Sequence, residues 1–275
     1  FSVTVFGGTP ALEVESGVTW RHNKEFDHRQ PCDLLIAHRA PWIAHRDDLA
    51  AKRTYVWLHD QPQSFSHAAF LPHLHERVSR YVSLTQTMAQ NYQAMHNVPV
   101  KAPIIPYFLP ACDLEPLPEK LETKPICVYL SAPYRGLLEL LRLWPTVREA
   151  VPEAELRCAY GWQVFNSIAA IEGAELHAIR SEMEERLKQP GVVWLDRIPQ
   201  RGVKNLLDDA RLWVYPCTYP EMLSHVALRA QARGVYPVVH PYAALAETVM
   251  GGRLVHESPE TEDGKKAFAQ AIIEE

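Results

Sequence analysis

The sequence predicts an α/β protein made of two Rossmann-like domains, in which parallel sheets are covered by helices on both faces. Three observations favour this fold class. Short apolar runs recur along the chain, with helical stretches between them. Most of these runs are continuous rather than alternating, which is typical of parallel strands that are buried on both faces. The runs are too many for one domain to hold comfortably, so two domains with a cleft between them are the simplest arrangement.

The apolar runs divide into two series. In the first half the predicted strands are Val3–Phe6, Leu34–Ala37, Tyr55–Leu58, Tyr81–Leu84 and Ile104–Phe108. In the second half they are Ile126–Leu130, Leu156–Tyr160, Val192–Leu195, Leu212–Tyr215 and Tyr236–Val239. The Pro- and Glu-rich segment Pro110–Lys120 separates the series and is interpreted as a linker. We therefore expect an N-terminal domain over residues 1–112 and a C-terminal domain over residues 113–275.

One βαβ unit is especially clear near the end of the chain. The run Leu212–Tyr215 leads into a Pro/Thr loop that carries a lone acid, Glu221. A small-residue helix follows, ends at Gly234, and gives way to the run Tyr236–Val239. Ligands of such units bind beyond the carboxyl ends of the strands, where helix N-termini present unpaired N–H groups. An acid in this loop can bond sugar hydroxyls while the neighbouring amides face a phosphate.

Composition excludes several classes of function. The chain has 275 residues, of which 47% are hydrophobic and 22% charged, as in ordinary globular proteins. Its net charge of −5 provides no basic surface for a nucleic acid. No apolar run approaches the roughly 20 residues that cross a bilayer, although peripheral attachment to a membrane stays open.

The cysteines and the first residue bear on the cellular context. Five scattered cysteines without a C-x-x-C pair favour reduced structural thiols and a cytoplasmic protein. The chain begins at Phe1, in what is interpreted as the second strand of a domain. We therefore expect that the first β-α unit is missing, as it would be if the chain began inside a longer protein.

Several segments, in their order and spacing, resemble GT-B glycosyltransferases of the family 4 type, the glycosyl transferases group 1. In the second half the resemblance is carried by Leu130–Leu137, Ala154–Trp162, Val193–Gln200, Leu206–Ala210 and the loop with Glu221. In the first half it is carried by Trp57–Asp60 and Val82–Thr85. The resemblance extends over almost the whole chain and implies a GT-B fold, with an acceptor-side domain followed by a domain that binds the nucleotide-sugar donor.

The chain departs from the family pattern in three places. The family carries two acids in the spacing E-x7-E, but the second position here holds Arg229. A guanidinium only donates hydrogen bonds, so it cannot accept them from a ribose diol; it can pair with a phosphate or with a neighbouring acid. The family's Asn-Gly turn is replaced by Tyr107–Pro110. The first strand with its glycine loop, and the C-terminal helix that crosses back, are expected to be missing.

The resemblance assigns roles to individual residues. Glu221 is expected to bind the hydroxyls of the transferred sugar, although an acid near a helix N-terminus is also favourable without any function. Arg135 with Gly136 is expected to face the diphosphate, and Arg197 is the best placed second cation, ahead of Lys204 and Arg201. The remaining expected donor-binding residues are Met222, Leu223, Ser224, Arg229 and Glu247.

His59 is the candidate on the acceptor side. It ends a predicted strand, and we expect it to contact the acceptor or the sugar; the alternative is a structural His-Asp pair in which Asp60 caps a turn. His73 and His75 could suggest a metal, but no spacing of acids or cysteines completes a site. The resemblance likewise implies neither a metal nor another cofactor, because protein cations and helix dipoles neutralise the diphosphate in this fold.

The predicted function is transfer of a sugar from a UDP- or GDP-linked donor to a hydroxyl of an acceptor glycan, lipid or protein. The resemblance implies retention of the anomeric configuration. Two alternatives stay open. One is a binding module, or a truncated or inactive protein, that keeps the fold without turnover, for which Arg229 is the main indication. The other is a sugar-nucleotide epimerase on the same fold.

Overall fold

The computed structural model describes residues 2–8, 12–15, 17–99, 103–118, 125–172 and 174–275. The chain divides into two compact units. The first comprises Phe1–Ser83 and Tyr92–Pro103, and the second comprises Leu84–Asn91 and Ile104–Glu275. The domain limits expected from the sequence, 1–112 and 113–275, remain a prediction beside this division.

The first unit contains two three-stranded sheets. In one sheet β1 (Val3–Gly7) pairs in parallel with β3 (Val18–His22), which also pairs antiparallel with β2 (Glu13–Glu15). In the other sheet β4 (Leu35–His38), β5 (Thr54–Trp57) and β6 (Arg80–Val82) run parallel in that order.

Short helical segments connect these strands. They are the 3-10 turns Asn23–Glu25, Pro41–His45, Pro62–Ser64 and His67–Phe70, and the helical turn α1 (Pro72–His75). The longer helix α2 (Gln86–His96) begins within the second unit and ends within the first.

The second unit is built on a parallel sheet of six strands, in the order β12-β11-β10-β7-β8-β9. The strands are β7 (Ile126–Tyr129), β8 (Glu155–Cys158), β9 (Val192–Trp194), β10 (Leu212–Tyr215), β11 (Tyr236–Val239) and β12 (Arg253–Leu254). All residues of β7 and β10 are buried, as their continuous apolar sequences predict. The parallel α/β fold class predicted from the sequence is confirmed.

Helices connect the strands of this sheet. They are α3 (Leu137–Ala150), α4 (Gln163–Glu172), α5 (Ala174–Arg186), α6 (Gln200–Asp209), α7 (His225–Ala232), α8 (Leu245–Thr248) and α9 (Glu262–Glu274). Helix α7 ends where the sequence predicts, because Gly234 adopts a left-handed conformation with φ of 66°. The Ser224 side chain caps its first turn by accepting from the Ala227 amide.

Helix α3 tolerates an internal proline. Pro145 has no N–H, so the carbonyl of Leu141 one turn earlier loses its usual partner. The amide of Gln189 supplies the missing donor, with Nε2 at 2.8 Å from the Leu141 oxygen. The buried face of α3 therefore stays packed on the sheet, with Trp144 fully buried.

The prediction of a strand at Ile104–Phe108 is wrong. All five residues are described, and beyond an isolated bridge at Ile104 they form no β-structure. Pro106 removes a ladder donor, and Phe108 is 77% exposed. The hairpin β2–β3 and the short strand β12 were not among the predicted strands.

The segment expected to be a linker is packed in part. Ala111–Leu114 forms a 3-10 turn within the second unit, and its Asp113 is 2% exposed. Residues 119 and 120, at the end of that segment, lie outside the described residues. The buried turn is tied to α7, as described below.

The five cysteines carry free thiols, and burial raises the pKa of Cys127 and of Cys217 to about 12. Within the described ranges, every helix is too short or too polar to cross a membrane.

Candidate functional site

The candidate site lies where the six-stranded sheet changes direction. Strands β7 and β10 are neighbours, but the chain proceeds from β7 towards β8 and β9, and from β10 towards β11 and β12. The crossovers therefore leave this point on opposite sides, which opens a crevice at the carboxyl ends of the two strands. Arg135 follows β7 and Glu221 follows β10, so both lie at this edge.

Arg135 and Glu221 contact each other directly. Nη1 of Arg135 donates to Oε1 of Glu221 at 2.9 Å, and their side chains are 25% and 7% exposed. From the sequence we predicted that Arg135 faces the diphosphate and that Glu221 binds the sugar. The structure places the two side chains in direct contact. A single sugar diphosphate can span an arginine and a carboxylate that lie this close.

Two tyrosines hold the guanidinium of Arg135. Its central carbon lies 4.1 Å from the ring centre of Tyr219 and 5.4 Å from that of Tyr134. Burial alone would lower the pKa of Arg135, but Glu221 and the hydroxyls of Tyr134 and Tyr215 outweigh it, so the pKa is raised. Arg135 is thus a fixed positive charge, oriented by aromatic faces.

Glu221 receives a second donor from the sheet itself. Tyr215, the last residue of β10, approaches Oε1 of Glu221 with its hydroxyl at 2.6 Å. Ser131, which follows β7, lies 3.1 Å from the same hydroxyl. Neither residue was predicted from the sequence, because a continuous apolar strand does not reveal which face carries a functional side chain.

Gly136 permits the close approach of the two loops. Its φ is 119°, and a Cβ atom there would lie 2.0 Å from the carbonyl oxygen of Pro216. Its N–H donates to the carbonyl of Pro133 and so closes the 3-10 turn before α3. The packing of Gly136 brings Arg135 against the loop after β10, and its expected position at the diphosphate stays a prediction.

The loop that leads into α7 is largely buried. Met222, Leu223 and Ser224 are between 6% and 7% exposed. The carbonyl of Met222 accepts from the Thr85 hydroxyl at 2.9 Å, within the second unit. These residues, expected in donor binding, follow Glu221 directly at the first turn of α7.

Arg229 forms an ion pair with Asp113. Its Nε lies 2.5 Å from Oδ2 of Asp113, and its Nη2 lies 2.9 Å from Oδ1. Nη1 donates to the Gln200 side chain at 2.6 Å. Of the two roles left open by the sequence, the structure shows pairing with a neighbouring acid, and the same contacts oppose the expectation that Arg229 binds the donor.

Glu247 accepts hydrogen bonds from the start of α2. Its carboxylate accepts from the amides of Gln86 and Thr87 at 2.7 and 2.9 Å, and from the Thr87 hydroxyl at 3.0 Å. These are free N–H groups of the first turn of α2, where a negative charge is favourable. The structure shows that Glu247 caps α2, and its expected role in donor binding stays a prediction.

A family model matches the second half of the chain. The model described as Glycosyl transferases group 1 matches residues 117–275, which is more than half of the 275 residues. The chain belongs to this family. The matched region contains both Arg135 and Glu221.

Solved structures share the fold of this group 1 chain. Sucrose-phosphate synthase from Thermosynechococcus elongatus matches with a TM-score of 0.63 at 17% identity, over 87% of this chain and 63% of that one. Trehalose 6-phosphate synthase from Burkholderia multivorans matches with a TM-score of 0.65 at 13% identity, over 98% and 80%. The Anabaena protein HepE, solved with UDP and glucose, matches with a TM-score of 0.59 at 16% identity, over 88% and 72%.

These matches confirm the GT-B class predicted for the fold. For TarM and GtfA, which are also similar, the present chain spans about half of their length, 48% and 49%. No curated protein matches the chain in sequence.

The three candidates for a second cation near the diphosphate differ in their ion pairs. Lys204 pairs with Asp208 at 2.7 Å, and Arg201 pairs with Glu115 at 2.8 Å. Arg197 is exposed just beyond β9, two strands away from β7, and no ion pair joins it to another described residue. The preference for Arg197 as the second cation stays a prediction.

His59 lies in the first unit, two residues beyond β5. It is 8% exposed, and its ring centre lies 3.9 Å from that of His38 and 5.0 Å from that of Trp57. Burial, with the nearby positive charge of His38 and Arg39, lowers the pKa of His59 to about 4. His59 therefore carries no charge at neutral pH.

The structural alternative for the His-Asp pair proposed that Asp60 caps a turn. The structure does not show such a cap from the Asp60 side chain. Its carboxylate forms an ion pair with Arg39, a residue held at a φ of 57°. Positive φ at a non-glycine residue is uncommon and is often found at functional sites. His38 and Arg39 were not predicted, although both end an apolar run beside the one that carries His59.

Two cavities lie at the ends of the central strands of the six-stranded sheet. A cavity of about 270 Å³ opens at the carboxyl ends of β10 and β11, beside the loop of Glu221. Another of about 340 Å³ lies at the opposite ends of β7 and β10, away from the charged cluster. In the part of the chain that is described, no three His, Cys, Asp or Glu side chains form a metal site, and metal independence stays a prediction.

Proposed function

We propose that the protein is a glycosyltransferase whose second unit binds a nucleotide-diphospho-sugar, UDP- or GDP-linked, and whose sugar is passed to an acceptor hydroxyl. The observation that carries the proposal is the contact between Arg135 and Glu221 at the switch point of the sheet. Membership in the group 1 family supports the same reaction class.

Arg135 suits the diphosphate. Its Nη1 donates a hydrogen bond to Glu221, and its Nε donates to the Tyr134 hydroxyl at 3.3 Å. Its Nη2 has no hydrogen-bond partner among the described residues. A guanidinium donates in two directions at once, so Nη2 can reach a phosphate without releasing Glu221. This arrangement supports a donor that runs from Arg135 to Glu221.

The reaction would proceed as follows. The bond between the anomeric carbon and the diphosphate oxygen breaks, and negative charge grows on that oxygen, where Arg135 stabilises it. The acceptor oxygen forms the new bond to the anomeric carbon. Its proton passes to the departing diphosphate. Retention of configuration, implied by the family resemblance, requires that the acceptor approach from the face that the diphosphate leaves.

Glu221 would bind the hydroxyls of the transferred sugar, as a buried carboxylate with remaining acceptor capacity. In the first unit, His59 would contact the acceptor or the sugar in its neutral form. We propose that protein cations neutralise the diphosphate without a metal or another cofactor, and that the protein acts in the cytoplasm.

The first experiment is isothermal titration of the full chain with UDP, GDP, UDP-glucose and GDP-mannose. It is followed by assays for hydrolysis and for transfer to a panel of acceptors. Binding of one nucleotide sugar, followed by release of its nucleotide, is the expected result. If none of the four ligands binds, the proposal is wrong.

A second candidate, a non-catalytic binding module, is favoured by Arg229. Its guanidinium is committed to Asp113, so this position offers no carboxylate to a ribose diol. Binding of a nucleotide sugar without turnover, in the presence of every acceptor tried, would favour the module. Conversion of the donor sugar in the absence of acceptor would favour the epimerase.

A further inference from the structure

The carboxylate of Glu221 is held at one of its two oxygens. Oε1 accepts from Arg135 at 2.9 Å and from the Tyr215 hydroxyl at 2.6 Å. Within the described residues, no hydrogen bond to Oε2 is found. Oε2 therefore keeps its acceptor positions for a ligand.

The direction of each hydrogen bond in this cluster follows from the groups involved. Oε1 of Glu221 acts as an acceptor, because a guanidinium only donates. Burial raises the pKa of Tyr215 well above its usual value, so its hydroxyl keeps its single proton and donates it to Glu221. Ser131 must then donate to the Tyr215 oxygen, 3.1 Å away. The result is a chain of bonds from Ser131 through Tyr215 to Glu221, in which each bond polarises the next.

The two ends of this chain of bonds lie in different kinds of structure. Tyr215 is fully buried in β10, and its ring packs edge to face on Tyr129 with centres 5.8 Å apart. Glu221 lies in an irregular loop, outside any strand or helix. A hydroxyl fixed by the sheet thus holds, together with Arg135, an acid that the loop carries.

We propose that Tyr215 is a positioning residue for Glu221. It holds Oε1, with Ser131 fixing the direction of its hydroxyl, and so presents Oε2 to a hydroxyl of the donor sugar. The inference rests on the proposed function for its catalytic consequence, but the positioning itself can be tested without any ligand.

Tyr215→Phe is the informative variant and Tyr129→Phe its matched control. Both tyrosines are buried in adjacent strands of one sheet, and each variant loses one hydroxyl. The Tyr129 hydroxyl donates to the Ala132 carbonyl at 2.9 Å and does not contact Glu221. Ser131→Ala is a milder variant, which keeps the Tyr215 hydroxyl but removes its donor.

The first measurement is a crystal structure of each ligand-free variant. We expect the Glu221 carboxylate to turn away or lose order in Tyr215→Phe, and to keep its position in Tyr129→Phe. An unchanged carboxylate in Tyr215→Phe would overturn the inference. This readout needs no donor, so it stands apart from failure of the proposed function.

The second measurement is hydrolysis of UDP-glucose and GDP-mannose by the full chain, with UDP and GDP affinity measured by titration. Loss of a hydrogen bond to a charged group predicts a fall in kcat of about tenfold or more for Tyr215→Phe. Nucleotide affinity should change less than about twofold, because the lost bond lies at the sugar end, and Ser131→Ala should show a smaller fall in kcat.

If the wild type is active, equal turnover by Tyr215→Phe and Tyr129→Phe would contradict the inference. Absence of binding and turnover in the wild type would instead contradict the proposed function, and the crystal structures would then decide the positioning role alone.

Discussion

Arg229 and Asp113 form a buried ion pair across 116 positions of the chain, with two hydrogen bonds of 2.5 and 2.9 Å. Their side chains are 4% and 0% exposed. The pair joins α7 to the 3-10 turn Ala111–Leu114, and Gln200 of α6 accepts two further hydrogen bonds from the guanidinium. In the sequence, Arg229 stands where the family has a donor-binding acid. In the structure it joins two elements of the second unit.

Arg229→Ala is expected to destabilise the protein strongly. It would leave the Asp113 carboxylate buried without its cation, which costs about 3–5 kcal/mol of unfolding free energy. Replacing both partners by apolar residues, as in Arg229→Met with Asp113→Leu, should cost much less, because no charge stays buried. Urea unfolding, followed by circular dichroism, measures the difference.

Arg201→Ala is the control for that prediction. Its side chain is 64% exposed and pairs with Glu115, so the loss should be about 0–1 kcal/mol. Similar losses in Arg201→Ala and Arg229→Ala would show that the buried pair has no special weight.

The fold could be predicted in large part because its strands are buried on both faces. Continuous apolar runs such as Leu212–Tyr215 have no polar face to obscure them. The run Ile104–Phe108 failed because apolar character alone does not supply a partner strand. The hairpin β2–β3 had a readable signal, the alternation in Glu13–Glu15 followed by Gly17, whose φ is 79°.

The sequence could indicate candidate site residues only in the loops that follow strands. Arg135 and Glu221 lie beyond the carboxyl ends of β7 and β10, where ligands of such sheets bind. Tyr215 lies inside an apolar strand, so its role depends on which way the side chain points. Arg229 and Glu247 have partners at distant positions, Asp113 and the start of α2, which no local pattern reveals.

Glu221→Ala should impair turnover far more than it impairs nucleotide binding. The carboxylate is proposed to bind the sugar, whereas the nucleotide is proposed to bind elsewhere in the second unit. A hydrogen bond to a charged group is worth about 1.5–3 kcal/mol, which corresponds to a fall in kcat of about 10- to 150-fold. Hydrolysis of UDP-glucose and titration with UDP separate the two effects.

Glu221→Gln is the control for folding, since it keeps the shape and an acceptor oxygen for Arg135. Equal losses of turnover and nucleotide binding in both variants, with a lowered unfolding temperature, would mean that the acid supports the fold instead.

Gly136→Ala should destabilise the second unit by about 1–3 kcal/mol or more, because of steric overlap and a disfavoured backbone conformation. The added Cβ would lie 2.0 Å from the Pro216 carbonyl oxygen, at a φ of 119°. Thermal unfolding measures the loss. Gly251→Ala is the matched control, because a Cβ there meets nothing within 4 Å. A wild-type melting temperature for Gly136→Ala would contradict the tight approach of the two loops.

Glu247→Ala should lower stability without changing UDP affinity. The carboxylate caps α2 through the amides of Gln86 and Thr87, and loss of such a cap costs about 0.5–2 kcal/mol. Glu247→Gln keeps one acceptor oxygen and should lose less. Unfolding by urea and titration with UDP are the measurements. A fall in UDP affinity of tenfold or more at unchanged stability would favour the role in donor binding that the sequence predicts.

The stability of the protein should depend on pH through His59. Burial and the positive charge of His38 and Arg39 lower the pKa of His59 from 6.5 to about 4. Between these values the unfolded chain takes up a proton that the folded chain does not, so stability should fall as pH decreases from 6.5 towards 4. At lower pH this contribution becomes constant, because both states are then protonated.

His59→Asn removes this group, so its unfolding free energy should fall less steeply than that of the wild type between pH 6.5 and 4. Part of the slope will remain, since burial also lowers the pKa of His38. The exposed variant His73→Asn is the control and should follow the wild type. Identical slopes in His59→Asn and the wild type would show that His59 already titrates as a solvated histidine, and a neutral His59 at the acceptor side would lose its support.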